Sequence, residues 1–291
     1  MLAAKEFDIL KSKETGRKQT DMKLIFIRHG DPDYKIDSLT EKGKKEAKLL
    51  ADRVAKFGNV KEVYVSPLGR AVKTAEYSLN ALNMKGRTKD WLREFAVKVK
   101  DPDGNEKNIP WDYFPTYWTN EPKFYDKDHW FEAKVFEGSE IKENYARVSN
   151  GLDEILQNNG YKRSGNLYLT DTVNNPPKML TDAVNDPDLV VTDSVKDNPH
   201  YLSYQKNQDV ILFFCHLGVS FVMISHLLGI APTLLWHTFF TAPTSITVLG
   251  AEEREPGIAA FRVQSFGDTS HLLSNHEPIS VSGYFTNPLQ Y

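Results

Sequence analysis

Four polar residues stand where apolar runs stop. In KLIFIRHGDP, Arg28 and His29 end a stretch of branched and aromatic residues, and Gly30 and Pro32 break it. In SPLGRAVKTA, Arg70 falls in what reads as the opening turn of a helix, and in DVILFFCHLG, His216 follows a strongly apolar run. Glu94 lies in WLREF among apolar neighbours. Two guanidinium groups and an imidazole around a second imidazole suit a phosphate dianion, because arginine grips phosphate oxygens through paired N–H donors. A neutral imidazole attacks phosphorus in line when its other nitrogen is held as a donor to an acceptor such as a backbone carbonyl. His29 is therefore the candidate nucleophile. Arg28, Arg70 and a protonated His216 would stabilise charge on the equatorial oxygens. Glu94, its pKa raised by apolar neighbours, would protonate the leaving alkoxide and then serve as base for water. The scheme uses no metal and no cofactor.

These residues work together only if the fold converges them. KLIFI reads as a buried strand, and SLTEKGKKEAKLLADRVAKF follows as a helix, opened by Ser38 or Thr40 and with Ala47, Leu50, Ala51 and Val54 at helical spacing. A short strand at 63–65, a break at Ser66-Pro67 and a second helix through about Leu82 come next. A helix is expected from Ser139 to about Asn158, a strand at 210–215, a helix from about Gly218, and a closing hairpin in SITVLG and IAAFRVQSFG. Strands alternating with helices predict a largely parallel or mixed sheet covered on both faces. Parallel strands end on one edge, so the junctions at His29, Arg70 and His216 can meet there.

Two stretches break the alternation. Residues 98–137 are rich in Pro, Asp and aromatics, and residues 160–208 are dense in Asn, Asp and Pro, with short strands expected at NLYL and DLVV. Both read as insertions into one domain spanning 22–291. The aromatic cluster Trp111, Tyr113, Phe114, Tyr117 and Trp118 is too apolar for disorder and reads as a substrate lid in preference to a satellite core beneath a long insertion. Residues 1–21 read as an extension, with Met22 directly before the first strand.

Composition narrows the function. A formal net charge of −3 argues against a protein built to hold nucleic acid, so an acidic ligand needs a local cationic pocket. No window approaches a membrane span, and the leader lacks the apolar core of a signal peptide, so a cytoplasmic setting is expected. The single cysteine, Cys215, excludes an internal disulfide. It also fails as a cysteine phosphatase nucleophile: a Cys-x5-Arg loop needs arginine at 221, where Phe221 stands. His226, His237 and His271 sit among apolar neighbours and read as packing or surface residues, and Asp31 and Asp33 as turn formers.

The ordered motifs resemble the histidine phosphatase superfamily, also called the phosphoglycerate mutase-like family. Its Arg-His-Gly signature is matched by Arg28, His29 and Gly30, its LTxxGxxQA helix is approximated by LTEKGKKEA, and its SPLxRAxxTA block is matched by Ser66 to Ala75. The resemblance covers 22–95 closely and 209–250 more loosely. It implies a three-layer αβα sandwich with a mostly parallel central sheet, a phosphorylated His29, and a phosphate pocket of Arg28, Arg70 and His216. Glu94 falls where smaller members place their acid. The chain departs from the family in having His216-Leu217-Gly218 for the usual His-Gly, and Leu217 removes the His-Asp acid of the phytase-like branch. Asp31 replaces the usual Glu, and the tryptophan- and asparagine-rich segment of true mutases is missing. A phosphatase acting on a small phosphorylated metabolite is therefore expected. The alternatives are mutase-type phosphoryl transfer and a non-catalytic relative that binds phosphate or phosphoprotein.

Overall fold

The computed structural model describes residues 21–170 and 208–290. The expected N-terminal extension and the DLVV strand lie outside those residues, as does most of the second insertion. Among the described residues, eight strands form the main sheet: β1 (Asp21–Arg28), β2 (Val60–Val65), β3 (Arg87–Thr88), β4 (Lys162–Ser164), β5 (Leu167–Leu169), β6 (Gln208–Cys215), β7 (Ile246–Glu255) and β8 (Ile258–Asp268). Their order is β3-β2-β6-β1-β7-β8-β5-β4. The first four run parallel, and the rest are added antiparallel, beginning with β7 against β1. The sheet is thus mixed, and its parallel half carries the sequence motifs.

The helices that flank it are α1 (Glu41–Val54), α2 (Gly69–Leu82), α3 (Ile141–Asn158), α4 (Leu217–Leu228) and α5 (Pro232–Thr238). Strand β1 shows why its sequence is apolar without alternation. Leu24 and Phe26 pack into a core with α3 and α4, whereas Ile25 and Ile27 pack on the other face against Leu50 and Val54 of α1 and Ala75 of α2. A strand covered on both sides needs apolar residues at every position. Thr40 is the cap that opens α1: its Oγ1 accepts from the Gly43 amide at 3.0 Å. The predicted stripe of Ala47, Leu50, Ala51 and Val54 is buried. Helix α4 is buried almost all round, so its sequence shows little amphipathic period.

The first insertion folds back on the core. Val99–Lys100 pairs with Glu106–Lys107, and short helical turns follow between Pro115 and Phe136. Tyr113, Phe124, Trp130 and Phe136 are buried in the same cluster as α3 and α4. His237 stacks between Trp118 at 5.4 Å and Phe124 at 5.2 Å. The aromatic cluster expected to form a lid is for the most part an extension of the core, because these rings bury more area against one another than a solvated loop could. Phe114 is exposed, and Trp111 touches the site described below.

At the sheet centre, Phe213 on β6 stacks between Phe26 at 5.2 Å and Tyr64 at 5.5 Å and is fully buried. Phe213→Ala should cost about 3–5 kcal/mol through lost burial and the cavity left behind. Urea denaturation checks this as a lowered midpoint with an unchanged slope.

Candidate active site

The C-terminal ends of β1, β2 and β6 lie side by side, and the hydrogen-bonded ladder continues one step past them. The His29 amide donates to the Cys215 carbonyl at 3.0 Å, and the Ser66 amide to the Phe214 carbonyl at 2.9 Å. His29, Ser66 and His216 are thereby held at one edge, with the His29 and His216 ring centroids 5.1 Å apart. Their chain-distant meeting is the one expected from parallel topology.

His29 is 1% exposed, and its Nδ1–H donates to the Gly30 carbonyl at 2.8 Å. That bond leaves Nε2 with its lone pair. Burial, followed by the Arg28 charge, holds the ring well below its ordinary pKa, so it is neutral. The loop that places it is backed from α1 and α2. The Gly30 amide donates to Thr74 Oγ1 at 2.9 Å, and the Asp31 amide to Glu46 Oε2 at 2.9 Å. Gly43 is required where α1 passes this loop, because a Cβ there would strike the Asp31 carbonyl.

Arg28 is buried, with Nη1 donating to the Thr241 carbonyl at 2.7 Å and the guanidinium 5.2 Å from the Phe240 ring centroid. Arg70 stands in the first turn of α2, paired with Asp37 at 2.6 Å. Asp37 also accepts from the Gly69 amide at 2.7 Å, so one carboxylate fixes both the helix start and the arginine. Its pKa is lowered: the Gly69 and Arg70 interactions outweigh the opposing effect of partial burial. His216 caps α4 and is fully buried, with Nε2 2.7 Å from Ser66 Oγ. The Leu68 amide donates to the same oxygen at 3.3 Å. Ser66 can then give its hydroxyl proton to Nε2, a tautomer that puts the His216 proton on Nδ1. Burial, then His29, Arg70 and Arg28, hold this ring also well below its ordinary pKa. The protonated His216 expected from sequence is therefore neutral in this pocket and would bind an oxygen as a neutral donor. Six buried side-chain nitrogens among the described residues have no partner: Arg53 Nη1, His237 Nε2 and His271 Nδ1 lie elsewhere, and Arg28 Nε, Arg70 Nε and His216 Nδ1 lie in the pocket. Unpaired buried donors are costly, and in the pocket they belong to the three residues expected to grip phosphate.

Glu94 lies at the N-terminus of α4, where Oε1 accepts from the Phe95 amide at 2.8 Å and the Val219 amide at 3.2 Å. Burial raises its pKa, against the opposing pull of those amides and Arg28. The carboxyl thus keeps its proton to higher pH than an exposed glutamate, as a general acid requires. All five expected site residues, Arg28, His29, Arg70, Glu94 and His216, share one pocket by these contacts and charges. Four supporting residues were not singled out in sequence: Asp37, Glu46, Ser66 and Thr74. Ser66 and Thr74 lie inside the SPLGRAVKTA block, which signals them; Asp37 and Glu46 look like ordinary surface acids.

His226 is bonded to Asp153 at 2.9 Å and His271 lies near Thr244 at 3.2 Å, so with His237 they serve packing. The Cys215 thiol is buried and its pKa pushed up by burial. Among the described residues no group of three or more His, Cys, Asp or Glu is placed to hold a metal ion, and no helix is long and apolar enough to cross a membrane.

Residues 24–164 match the model of the histidine phosphatase superfamily (branch 1). The matched residues include Arg28, His29, Arg70 and Glu94 of the pocket, so this part of the chain is recognised as a histidine phosphatase superfamily (branch 1) sequence. Its fold is shared by a mycobacterial glucosyl-3-phosphoglycerate phosphatase, at 18% identity and a TM-score of 0.50, over 85% of this chain and 99% of the other. A protein described as mycobacterial hydrolase 2 matches at 17% identity and a TM-score of 0.50, over 86% of this chain and 91% of its own. A phosphoglycerate mutase from Bacillus anthracis matches at 15% identity and a TM-score of 0.48, over 89% and 98%. No curated protein sequence matches the chain.

Glu46 generates a prediction. It is fully buried under the His29–Asp31 loop, and burial raises its pKa to about 7 although Lys42 stands 3.3 Å away. A carboxyl with a folded pKa above its unfolded value stabilises the fold at low pH, and that contribution is lost as pH rises from about 4.5 through about 7. Glu46→Gln keeps a carbonyl acceptor for the Asp31 amide and removes this titration. The variant's stability relative to wild type should rise by up to about 3 kcal/mol between pH 4.5 and pH 8. Paired urea titrations at the two pH values measure the difference.

Proposed function

We propose that the chain is a phosphomonoester hydrolase that works through a phosphohistidine at His29. One observation carries this: a neutral imidazole, its Nδ1 tied to the Gly30 carbonyl, stands beside the buried Arg28, the partly buried Arg70 and a second histidine, and Arg28 Nε, Arg70 Nε and His216 Nδ1 have no partner. Nε2 attacks phosphorus, forming the N–P bond as the ester P–O bond breaks. The electron pair leaves on the ester oxygen, which takes the Glu94 proton. Arg28, Arg70 and the His216 N–H hold the equatorial oxygens, where negative charge is spread in the transition state. The Glu94 carboxylate then takes a proton from water as the water oxygen attacks phosphorus. The N–P bond breaks, its electrons return to Nε2, and phosphate leaves with His29 and Glu94 restored. Positive charge on the guanidiniums supplies the electrostatic stabilisation, so the scheme requires no metal ion. The phosphatase and mutase names among the structural neighbours agree with phosphoryl chemistry in general.

His29→Ala should lower hydrolysis of p-nitrophenyl phosphate by about a thousandfold or more, and wild-type activity should persist in EDTA. Alkaline quench should trap a phosphorylated wild-type chain and none from the variant. Hydrolysis that survives His29→Ala would overturn the assignment. Glu94 separates by leaving group. Glu94→Gln should lower kcat by about 10²–10⁴ for alkyl phosphates, whose alkoxides need a proton, and far less for p-nitrophenyl phosphate. A matching loss with both substrates would mean that Glu94 does not act as the acid.

A further inference from the structure

Arg70, Arg28 and Glu94 each have an aromatic ring close by. The Tyr34 ring centroid lies 5.4 Å from the Arg70 guanidinium, and the ring is 63% exposed. Phe240 lies against Arg28, and Tyr284 packs on Phe240 with centroids 3.9 Å apart. Both Tyr34 and Tyr284 are close enough to Arg28 to act on its charge. The Trp111 ring rests on Gly218 at the start of α4, where Glu94 Oε1 also stands; a Cβ on Gly218 would strike both. Tyr34, Trp111 and Tyr284 come from three distant segments, the loop after β1, the first insertion and the C-terminal strap, and Phe240 follows α5.

The strap is tied down where it carries Tyr284. Glu277 pairs with Lys42 at 2.7 Å and with Lys45, Lys42 also donates to the Pro278 carbonyl, and Ser280 donates to the Asp31 carboxylate. The chain then turns at Gly283, whose φ of 85° sets its backbone beside Arg28 Nη2. Tyr34 is fixed from both sides, by a turn in which Asp33 Oδ1 accepts from the Lys35 amide at 3.0 Å and by the Asp37–Arg70 pair. Val281 and Phe285 on the same strap remain exposed, so the anchoring serves the segment that meets Arg28 and Phe240.

We propose that the substrate is a phosphomonoester whose alcohol carries an aromatic ring, and that Tyr34, Trp111 and Tyr284 are the residues that select it. This rests on the hydrolase reading above and names its substrate class. The leaving oxygen must reach Glu94 for its proton, and Trp111 lies beside Glu94, so a ring borne by that alcohol passes Trp111 on its way out of the pocket. Offset or edge-to-face contacts with Tyr34 and Tyr284 would then hold it. Flat apolar walls around a few convergent polar groups are the usual form of a small-molecule site.

Binding of non-hydrolysable phosphonates tests this apart from turnover. Isothermal titration should give 2-phenylethylphosphonate at least about tenfold tighter affinity than ethylphosphonate, the gain expected from burying a phenyl ring. In the Tyr34→Ala/Tyr284→Ala double variant that ratio should fall toward one, and in Tyr34→Phe, which keeps the ring, it should persist. Equal affinities in the wild type, no binding of either phosphonate, or a ratio unchanged in the double variant would each overturn the proposal. A tenfold ratio in a chain that hydrolyses no phosphomonoester supports the aromatic selectivity and counts against hydrolysis alone.

Discussion

The hydrogen bond from the His29 amide to the Cys215 carbonyl fixes the rest of the site, because it extends the β1–β6 ladder one rung beyond the strands. A parallel ladder sets relative position along two strands to within a fraction of a residue, so the imidazoles that follow Arg28 and Cys215 cannot drift apart. The Ser66–Phe214 rung does the same for β2, and Ser66 then reaches His216 through its side chain. Rigid strands hold reacting groups more closely than a loop would. The apolar cores on both sheet faces therefore serve the chemistry directly: they keep the three strands in register.

Beyond the last rung the backbone must turn, and the turn sets the chemistry of His29. The Gly30 carbonyl accepts the Nδ1 proton while the Gly30 amide is spent on Thr74 and the Asp31 amide on Glu46. Both peptides flanking the turn are thus anchored to helices on the same side of the sheet, α1 and α2. A peptide free to flip would release Nδ1 and let the proton move to Nε2, which would remove the lone pair of the proposed nucleophile without displacing the ring. The same anchoring explains why α1 approaches so closely at Gly43.

Much of this was legible in the sequence, for identifiable reasons. Strands and helices with one dominant pattern stood out: β1 through its unbroken apolar run, α1 through Ala47, Leu50, Ala51 and Val54. Arg28, His29, Arg70 and His216 were visible because charge and imidazole at the end of an apolar strand conflict with local burial unless a site needs them. In the antiparallel half of the sheet the closing hairpin and the NLYL strand were legible and appear as β7, β8 and β5, whereas β4 is a three-residue strand with no pattern of its own. Trp111, Tyr113 and Phe114 show the limit most clearly. Their sequence is uniformly aromatic, yet one touches the site, one is buried in the core and one is exposed, and only tertiary packing separates them. Glu46 was hidden for the opposite reason: a glutamate on a charged helix looks solvated until the loop above it is in place.

The two arginines are neutralised unequally, and that inequality gives the pocket its polarity. Arg70 has a carboxylate partner in Asp37, which also sits on the α2 N-terminus and so answers the positive end of that helix. Arg28 has a backbone carbonyl and an aromatic face, both neutral, and burial lowers its pKa. With His29 and His216 both neutral, the uncompensated positive charge is concentrated on Arg28, next to His29. A phosphate dianion would be drawn to that point, and its arrival would relieve the desolvation that the guanidinium suffers without it. Glu94 feels the same charge from α4, where burial and Arg28 act on its proton in opposite directions. A dianion near Arg28 would offset that charge and leave burial opposed by the Phe95 and Val219 amides and by Arg70. Substrate binding would therefore strengthen Glu94's hold on the proton that the leaving group requires.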